Sequence, residues 1–341
     1  PDDDDWESFT TADGLVHPVP YSLMLPGGDQ VWIGTWEGLS VMDHGGTPFG
    51  KGDDGWQSFT AEDGLVEENI FTVAQDEAGR KWLGDGGVGL YVLDEGGTPL
   101  DKSDDLWMSF TPDDGLLSDI VYAIAPDGAG NIWIGTDSGL NLLDTGGTPF
   151  DKSDDQWRSW DYYDHWLLQV AYAVTLDDRG YIWVGAHLGV VVLDVGGTPL
   201  DKADDLWQTF TEDDGLPHYG DIDAIVTDEG GYTWLASTYD GAYVLDDKGD
   251  PLDKEDGDEW QWFPAGDGYI TDMIIDGEGN KWLVSTGGAA VVDDNGTPMN
   301  ASDDQYESYW LDGDANNIVA VGADEGGDIW FGTEEGVHVL D

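Results

Sequence analysis

The chain of 341 residues contains no cysteine and only 11 lysines and arginines. Without Cys it can hold no disulfide framework, no thiolate metal site and no Cys nucleophile, although this leaves the compartment open. The 11 basic residues face 73 acidic ones, a formal net charge of −62. Like charge repels nucleic acid and anionic membrane surfaces, so neither is an expected partner. No run of 18 apolar residues occurs, which argues against membrane insertion through a helix. No segment sustains a 3.6-residue hydrophobic period, and 50 Gly with 14 Pro argue against helices. The six histidines (His17, His44, His165, His187, His218 and His338) share no position and show no His-x-x-x-His spacing, so no zinc site is expected. There is no strand–nucleophile–helix elbow, and Gly86-Gly87-Val88-Gly89 is not set between a strand and a helix as a phosphate loop would be. On these grounds the chain is expected not to be an enzyme. It opens on Pro1 rather than Met and reads as a processed or excised product.

What is present is repetition. Trp6, Trp56, Trp107, Trp157, Trp207, Trp260 and Tyr306 form one ladder, and Trp32, Trp82, Trp133, Trp183, Trp234, Trp282 and Trp330 form another. Both have a spacing of about fifty residues, the mark of stacked supersecondary units. One unit reads as four short strands. Val121–Ala125 is small and apolar, suited to a crowded inner position, and Asn131–Thr136 follows a Gly-containing turn. Leu140–Asp144 comes next, and Trp157–Trp160 alternates as an outer strand should. Seven such units predict an all-β fold, a single seven-bladed β-propeller over residues 1–341 with four antiparallel strands per blade. The chain stops after a third strand and starts with a fourth, so residues 1–10 are expected to complete the last blade and close the ring.

The pattern Trp-x-Ser-Phe-Thr-x-x-Asp-Gly-Leu, then a small apolar strand, then Asp-x-x-Gly-Asn-Ile-Trp-Ile-Gly-Thr-x-x-Gly-Leu, is clearest at Trp107–Leu116 with Asp127–Leu140. It resembles the two-component regulator propeller repeat, and the resemblance covers essentially the whole chain. The resemblance implies a propeller fold and an extracytoplasmic setting, either as the sensor part of bacterial histidine kinases or as a protein secreted alone. This sequence adds a Gly-Gly-Thr-Pro acidic hinge that the family repeat does not require.

The acidic hinge is the first candidate site. Of the 73 acids 57 are Asp, the residue of turns and oxygen-rich metal loops. Asp101, Ser103 and Asp105 stand at i, i+2 and i+4, as do Asp151, Ser153 and Asp155. Asp201 and Asp205 keep the ends, Asp253 and Glu255 belong to a longer hinge, and Asn300, Ser302 and Asp304 keep the oxygens. Alternate oxygen side chains on a tight loop can converge on a hard cation, so several Ca²⁺ per chain are expected. The bland alternative is a solvated turn balanced by Lys51, Lys102, Lys152, Lys202 and Lys254.

The second candidate is the aromatic cluster Trp160, Tyr162, Tyr163, His165 and Trp166 in the fourth unit, which stands where other units carry Asp-Gly-Leu. With Trp36 and Tyr239 on the same face, it reads either as a stacking platform for a sugar or as a diverged blade junction. Two sequons, at Asn295 and Asn300, fall on a predicted loop.

Together these features predict a secreted, extracellular or cell-surface (or periplasmic) calcium-binding propeller. Its role is expected to be that of a non-enzymatic structural module for self-assembly, or for binding another extracellular protein through acidic loop faces. The competing reading is a sensor-type propeller that binds a ligand or glycan. A third source of the acidity is a halophilic host, which would demand molar monovalent salt rather than millimolar divalent salt.

Overall fold

The computed structural model describes residues 5–65, 69–216, 220–254, 257–264, 268–300, 302, 304–311 and 317–341. These residues form seven four-stranded antiparallel sheets. The first blade runs through Pro20–Met24, Gln30–Thr35, Gly38–Asp43 and Gly55–Phe59, from the inner to the outer strand. The third is made of Val121–Pro126, Asn131–Thr136, Gly139–Asp144 and Gln156–Trp160, within a residue or so of the strands read from the sequence. The last blade takes Ile318–Ala323, Ile329–Thr333 and Gly336–Leu340 from the end of the chain and Trp6–Phe9 from its beginning. Trp6 pairs with Leu340 and Phe9 with Val337, so the ring closes as expected and the outer edge of Gly336–Leu340 is satisfied. Short 3₁₀ pieces stand at Lys102–Asp104, Lys202–Asp204 and Glu212–Asp214.

The core lies between blades. Trp32, Trp82, Trp133, Trp183, Trp234 and Trp330 of the second ladder are essentially fully buried on the middle strands. A buried indole N–H needs an acceptor; Trp32 finds Gln30 on its own strand (3.3 Å), and in five other blades the Asp of the turn before the strand supplies one. Trp82 donates to Asp76 (2.9 Å), Trp183 to Asp177 (3.1 Å), Trp234 to Asp228 (3.0 Å), Trp282 to Asp276 (2.9 Å) and Trp330 to Asp324 (3.1 Å). The other carboxylate oxygen of Asp76 accepts the N–H groups of Ala78 and Arg80, so one Asp holds both the hairpin turn and the Trp. The next blade approaches closely at the Gly of Trp-Ile-Gly-Thr. A Cβ on Gly135 would stand 2.6 Å from the Ala171 carbonyl oxygen, and one on Gly185 2.3 Å from that of Ile222.

Five of the acidic hinges run back as straps along the outer strand of the preceding blade. Leu100 of the second strap abuts Gly55, and the Leu252 carbonyl accepts from Gln208 (3.1 Å). The lysines land beyond that strand, on the Asp of the preceding Asp-Gly-Leu loop or its equivalent. Lys51 meets Asp13 (3.0 Å), Lys102 Asp63 (2.6 Å), Lys152 Asp114 (2.8 Å), Lys202 Asp164 (2.7 Å) and Lys254 Asp214 (2.5 Å). On the way they pass over the rings of Phe9, Phe59, Phe110, Trp160 and Phe210. These lysines therefore tie blade to blade and are not local counter-charges. The outer strand Gln305–Tyr309 is the most exposed of the seven.

Deleting residues 1–9 would strip the last blade of its fourth strand and expose the edge of Gly336–Leu340. A lower melting temperature and greater aggregation are expected, measured by calorimetry and light scattering; an unchanged melting temperature would show that closure contributes nothing to stability.

Candidate functional site

Every inner strand carries the same irregularity. Register shifts lie between Pro20 and Ser22, Ile70 and Thr72, Val121 and Ala123, Ala171 and Ala173, Ile222 and Ala224, Ile270 and Asp272, and Ile318 and Ala320. A bulge re-aims the residue it contains. The seven residues so re-aimed are Tyr21, Phe71, Tyr122, Tyr172, Asp223, Thr271 and Val319, and all seven line one funnel of about 480 Å³ at the channel mouth. Thr238, Tyr239, Tyr269 and Ile270 complete its wall. Antiparallel connectivity puts the mouth on the face of the loops that lead from one blade to the next, opposite the hairpin turns at Asp76 and its equivalents.

The funnel has two unlike sides. On blades one to four the rings form a continuous belt: Tyr21 lies 5.1 Å from Phe71, Phe71 6.0 Å from Tyr122, and Tyr122 5.5 Å from Tyr172, between ring centroids. Trp36 extends the belt outward from Tyr21 at 5.9 Å, and Tyr239 meets Tyr269 edge-on at 5.1 Å across the mouth. Blade five supplies acid. Asp223 accepts a hydrogen bond from the Thr238 hydroxyl (2.6 Å), and burial, with Asp221 nearby, pushes its carboxyl up to about 6. Burial also raises Tyr172, to about 12, with the charge of Asp221 adding to it. His187 Nδ1 lies 2.5 Å from Asp221 Oδ1, leaving an exposed His–Asp pair at the rim. One residue deeper in blade six, Asp272 accepts from the Val321 N–H (3.0 Å), and burial pushes it up to about 6.

The residues expected from the sequence fall elsewhere. Trp160 is fully buried and stacks on Trp133 at 5.3 Å; it occupies the outer-strand position of Phe9, Phe59, Phe110, Phe210 and Phe263. It is a core residue and cannot serve as an exposed platform. His165 is held between Trp166 and Trp207, with Nε2 3.0 Å from the Thr209 hydroxyl, and burial lowers its pKa. Tyr162, Tyr163 (92% exposed) and Trp166 lie open to solvent, but none is among the residues lining the funnel. Tyr239 does line it, and Trp36 touches it through Tyr21.

In the straps, Asp101, Asp151 and Asp201 accept the N–H of Ser103, Ser153 and Ala203, each at 3.0 Å, which shapes a turn. Asp205 pairs with Arg158 and also accepts from Trp160 (2.8 Å). Asn300 accepts from the Ser302 hydroxyl (2.6 Å), Asp304 from Tyr306 (3.2 Å), and the Asp253 N–H donates to the Asp250 carbonyl. Glu255 lies outside the described residues. Among the described residues no three His, Cys, Asp or Glu stand together as metal ligands.

The bulge residues had a legible signal, an aromatic at the second position of four successive inner strands. Asp223 and Asp272 had none, because acids abound in this sequence.

No curated protein sequence matches the chain. The two-component regulator propeller family model matches residues 115–138. The extracellular domain named for a hybrid two-component system of B. thetaiotaomicron superposes with a TM-score of 0.70 at 18% identity, covering 98% of this chain and 40% of that one. A streptogramin B lyase gives 0.70 at 13% identity, covering 99% and 97%. A catalytically inactive variant of virginiamycin B lyase from Staphylococcus aureus, solved with quinupristin, gives 0.71 at 11% identity, covering 99% of both chains.

The chain is thus a seven-bladed β-propeller. More particularly, its segment 115–138 is similar to the repeat of the two-component regulator propellers. It spans about 40% of the length of the matching two-component extracellular domains. The expected extracellular or cell-surface location agrees with the setting of those domains, and no helix among the described residues is long and apolar enough to cross a membrane.

One expectation is corrected. The chain was read as a non-enzymatic structural or self-assembly module, yet the same fold, matched nearly end to end, serves lyases. The absence of a motif along the chain is no ground for excluding catalysis in a propeller, because its loops bring together residues far apart in sequence. His187 and Asp221 illustrate this, 34 residues apart and in contact.

Protonation should be visible in stability. Burial pushes Asp105, Asp155, Asp223, Asp272 and Asp328 up to about 6 from 3.8, and raises Asp54 in the same direction. Folding then takes up protons between these values, so the stability they confer is full below about pH 4 and lost as pH rises through about 6. His338 opposes them: burial lowers it from 6.5 to about 4, and its contribution is lost as pH falls through that interval. His165, lowered by burial as well, acts in the same sense as His338; with several carboxyls against these two imidazoles, the melting temperature should rise on going from about pH 7.5 to about pH 5. Asp272→Asn should flatten part of that rise, and a falling melting temperature over the same interval would contradict the assignment.

Proposed function

We propose that the protein is an extracellular ligand-binding propeller whose site is the funnel at the channel mouth. The observation that carries this reading is the sevenfold bulge, which aims one residue from every blade into a single concave surface. Repeated bulges that re-aim side chains mark functional sites, and a largely aromatic wall with a few polar groups is what small-molecule pockets share. The extracellular domains of two-component systems that share the fold support a ligand-binding role, and the propeller's loop faces are the general kind of surface that also meets proteins. The His187–Asp221 pair gives the rim a group able to take up a proton, so a reaction at the same mouth is part of the reading. Neutral aromatic fragments, followed by ligand-observed NMR, are expected to bind the protein. The double variant Tyr122→Ser, Tyr172→Ser should lose that binding and Trp166→Ala should keep it. Fragments that ignore the first variant and respond to the second would move the site to the exposed loop at Tyr162–Trp166.

A second reading concerns calcium in the straps. Asp105 and Asp155 each keep a buried carboxylate oxygen without a hydrogen-bond partner. Both are raised to about 6, by burial first and then by the adjacent Asp104 or Asp154. At the equivalent place in the fourth strap, Asp205 meets the Arg158 guanidinium. A cation at the other straps would act as Arg158 does there, and oxygen-only donors suit Ca²⁺. Calcium at about 1 mM should raise the melting temperature and EDTA should lower it, in about 0.1 M NaCl; indifference to both would refute the reading.

A further inference from the structure

We infer that the funnel ligand is an organic cation, an ammonium group carrying a flat or branched apolar body. This rests on the funnel being the binding site and names the chemistry that the site selects.

Three observations point the same way. The first is the pairing of belt and acid. Tyr172, the last ring of the belt, stands beside Asp221 and Asp223, and its phenol hydrogen-bonds the former. Ring faces are electronegative, so a ring next to a carboxylate attracts a cation from two directions. The second is the partial satisfaction of Asp223. Among the described residues only the Thr238 hydroxyl donates to it, which leaves one carboxylate oxygen for a ligand. Its raised pKa records the cost of a charge at that place with no cation beside it. The third is what the wall omits. Among the described residues no Lys or Arg lines the funnel, whereas both appear where the molecule needs internal ion pairs, as at Lys281–Asp294 and Arg158–Asp205. A ligand carrying phosphate or carboxylate would meet no counter-charge and a field set by a net charge of −62. A neutral sugar could stack on the belt but would leave Asp223 without an opposite charge.

The size of the site agrees. About 480 Å³ holds a ligand of one or two rings. The belt lies on blades one to four and the acid on blade five, so the apolar body and the charged end of the ligand have separate places.

Benzyltrimethylammonium and benzyl alcohol provide the comparison, titrated calorimetrically against the full chain in about 150 mM NaCl to screen non-specific attraction. The cation is expected to bind at least about tenfold more tightly than the alcohol. Asp223→Asn should remove most of that difference and leave the alcohol unchanged. Tyr172→Leu should weaken both, and Asp101→Asn, in a strap, should alter neither. Because Asn matches Asp in shape, and loss of a buried charge favours the fold, Asp223→Asn should melt no lower than the parent near pH 7.5, which shows that it folds.

Equal binding of cation and alcohol would overturn the cation assignment and leave the funnel standing. Binding of neither would overturn both. A preference for the cation that survives Asp223→Asn and disappears with added salt would trace it to the general negative field and overturn the assignment.

Discussion

The indole N–H of the second-ladder tryptophans is the constraint on which the blades depend. A large ring buried between blades brings a polar group with it, and an unmatched donor there would cost about 1–3 kcal/mol. The Asp of the preceding hairpin turn answers it, and the same side chain also receives the turn's own N–H groups. Turn, middle strand and inter-blade core are thereby set by one carboxylate in five of the seven blades. The closeness of the next blade follows, because a Gly beyond the Trp lets the neighbouring inner strand approach at backbone distance.

The fold was legible because its signals are periodic. Two Trp ladders give the blade count, and the cut between third and fourth strands gives the closure that Trp6–Phe9 makes with Gly336–Leu340. The site was less legible because its residues are placed by backbone irregularity. The inner strand Val121–Pro126 taken alone reads as small and apolar; only comparison with the aromatic at the same place in its neighbours singles out Tyr122, and the bulge that aims it at the channel is a backbone feature. Trp160 misled for a related reason. It borders a divergent loop in sequence, yet stands where other blades place Phe, under the Lys202 side chain. Asp223 and Asp272 could not be singled out among 73 acids; only three-dimensional placement separates them from solvated turns.

Charge is arranged unevenly. Most carboxylates lie on turns and straps, where they accept backbone N–H groups or meet the few lysines. Asp223, at the channel mouth, is instead held by the Thr238 hydroxyl beside Tyr172. The contrast between these settings, rather than the net charge, separates scaffold from site. It also explains why reading the acidity as a single property pointed to the straps first.

The straps have a mechanical corollary. Each belongs covalently to one blade and is fastened to the blade before it, so the ring is a succession of one-way links. Pulled from its N-terminal end, the chain would first shear Trp6–Phe9 from the last blade and free the ground on which Lys51 is fastened. Pulled from the other end, it would unzip Gly336–Leu340 from both Ile329–Thr333 and Trp6–Phe9, and so take from the strand under the first strap its only sheet partner. From either end the first link to give is therefore the closure between the last blade and the first strap, and the remaining straps hold the other blades in succession.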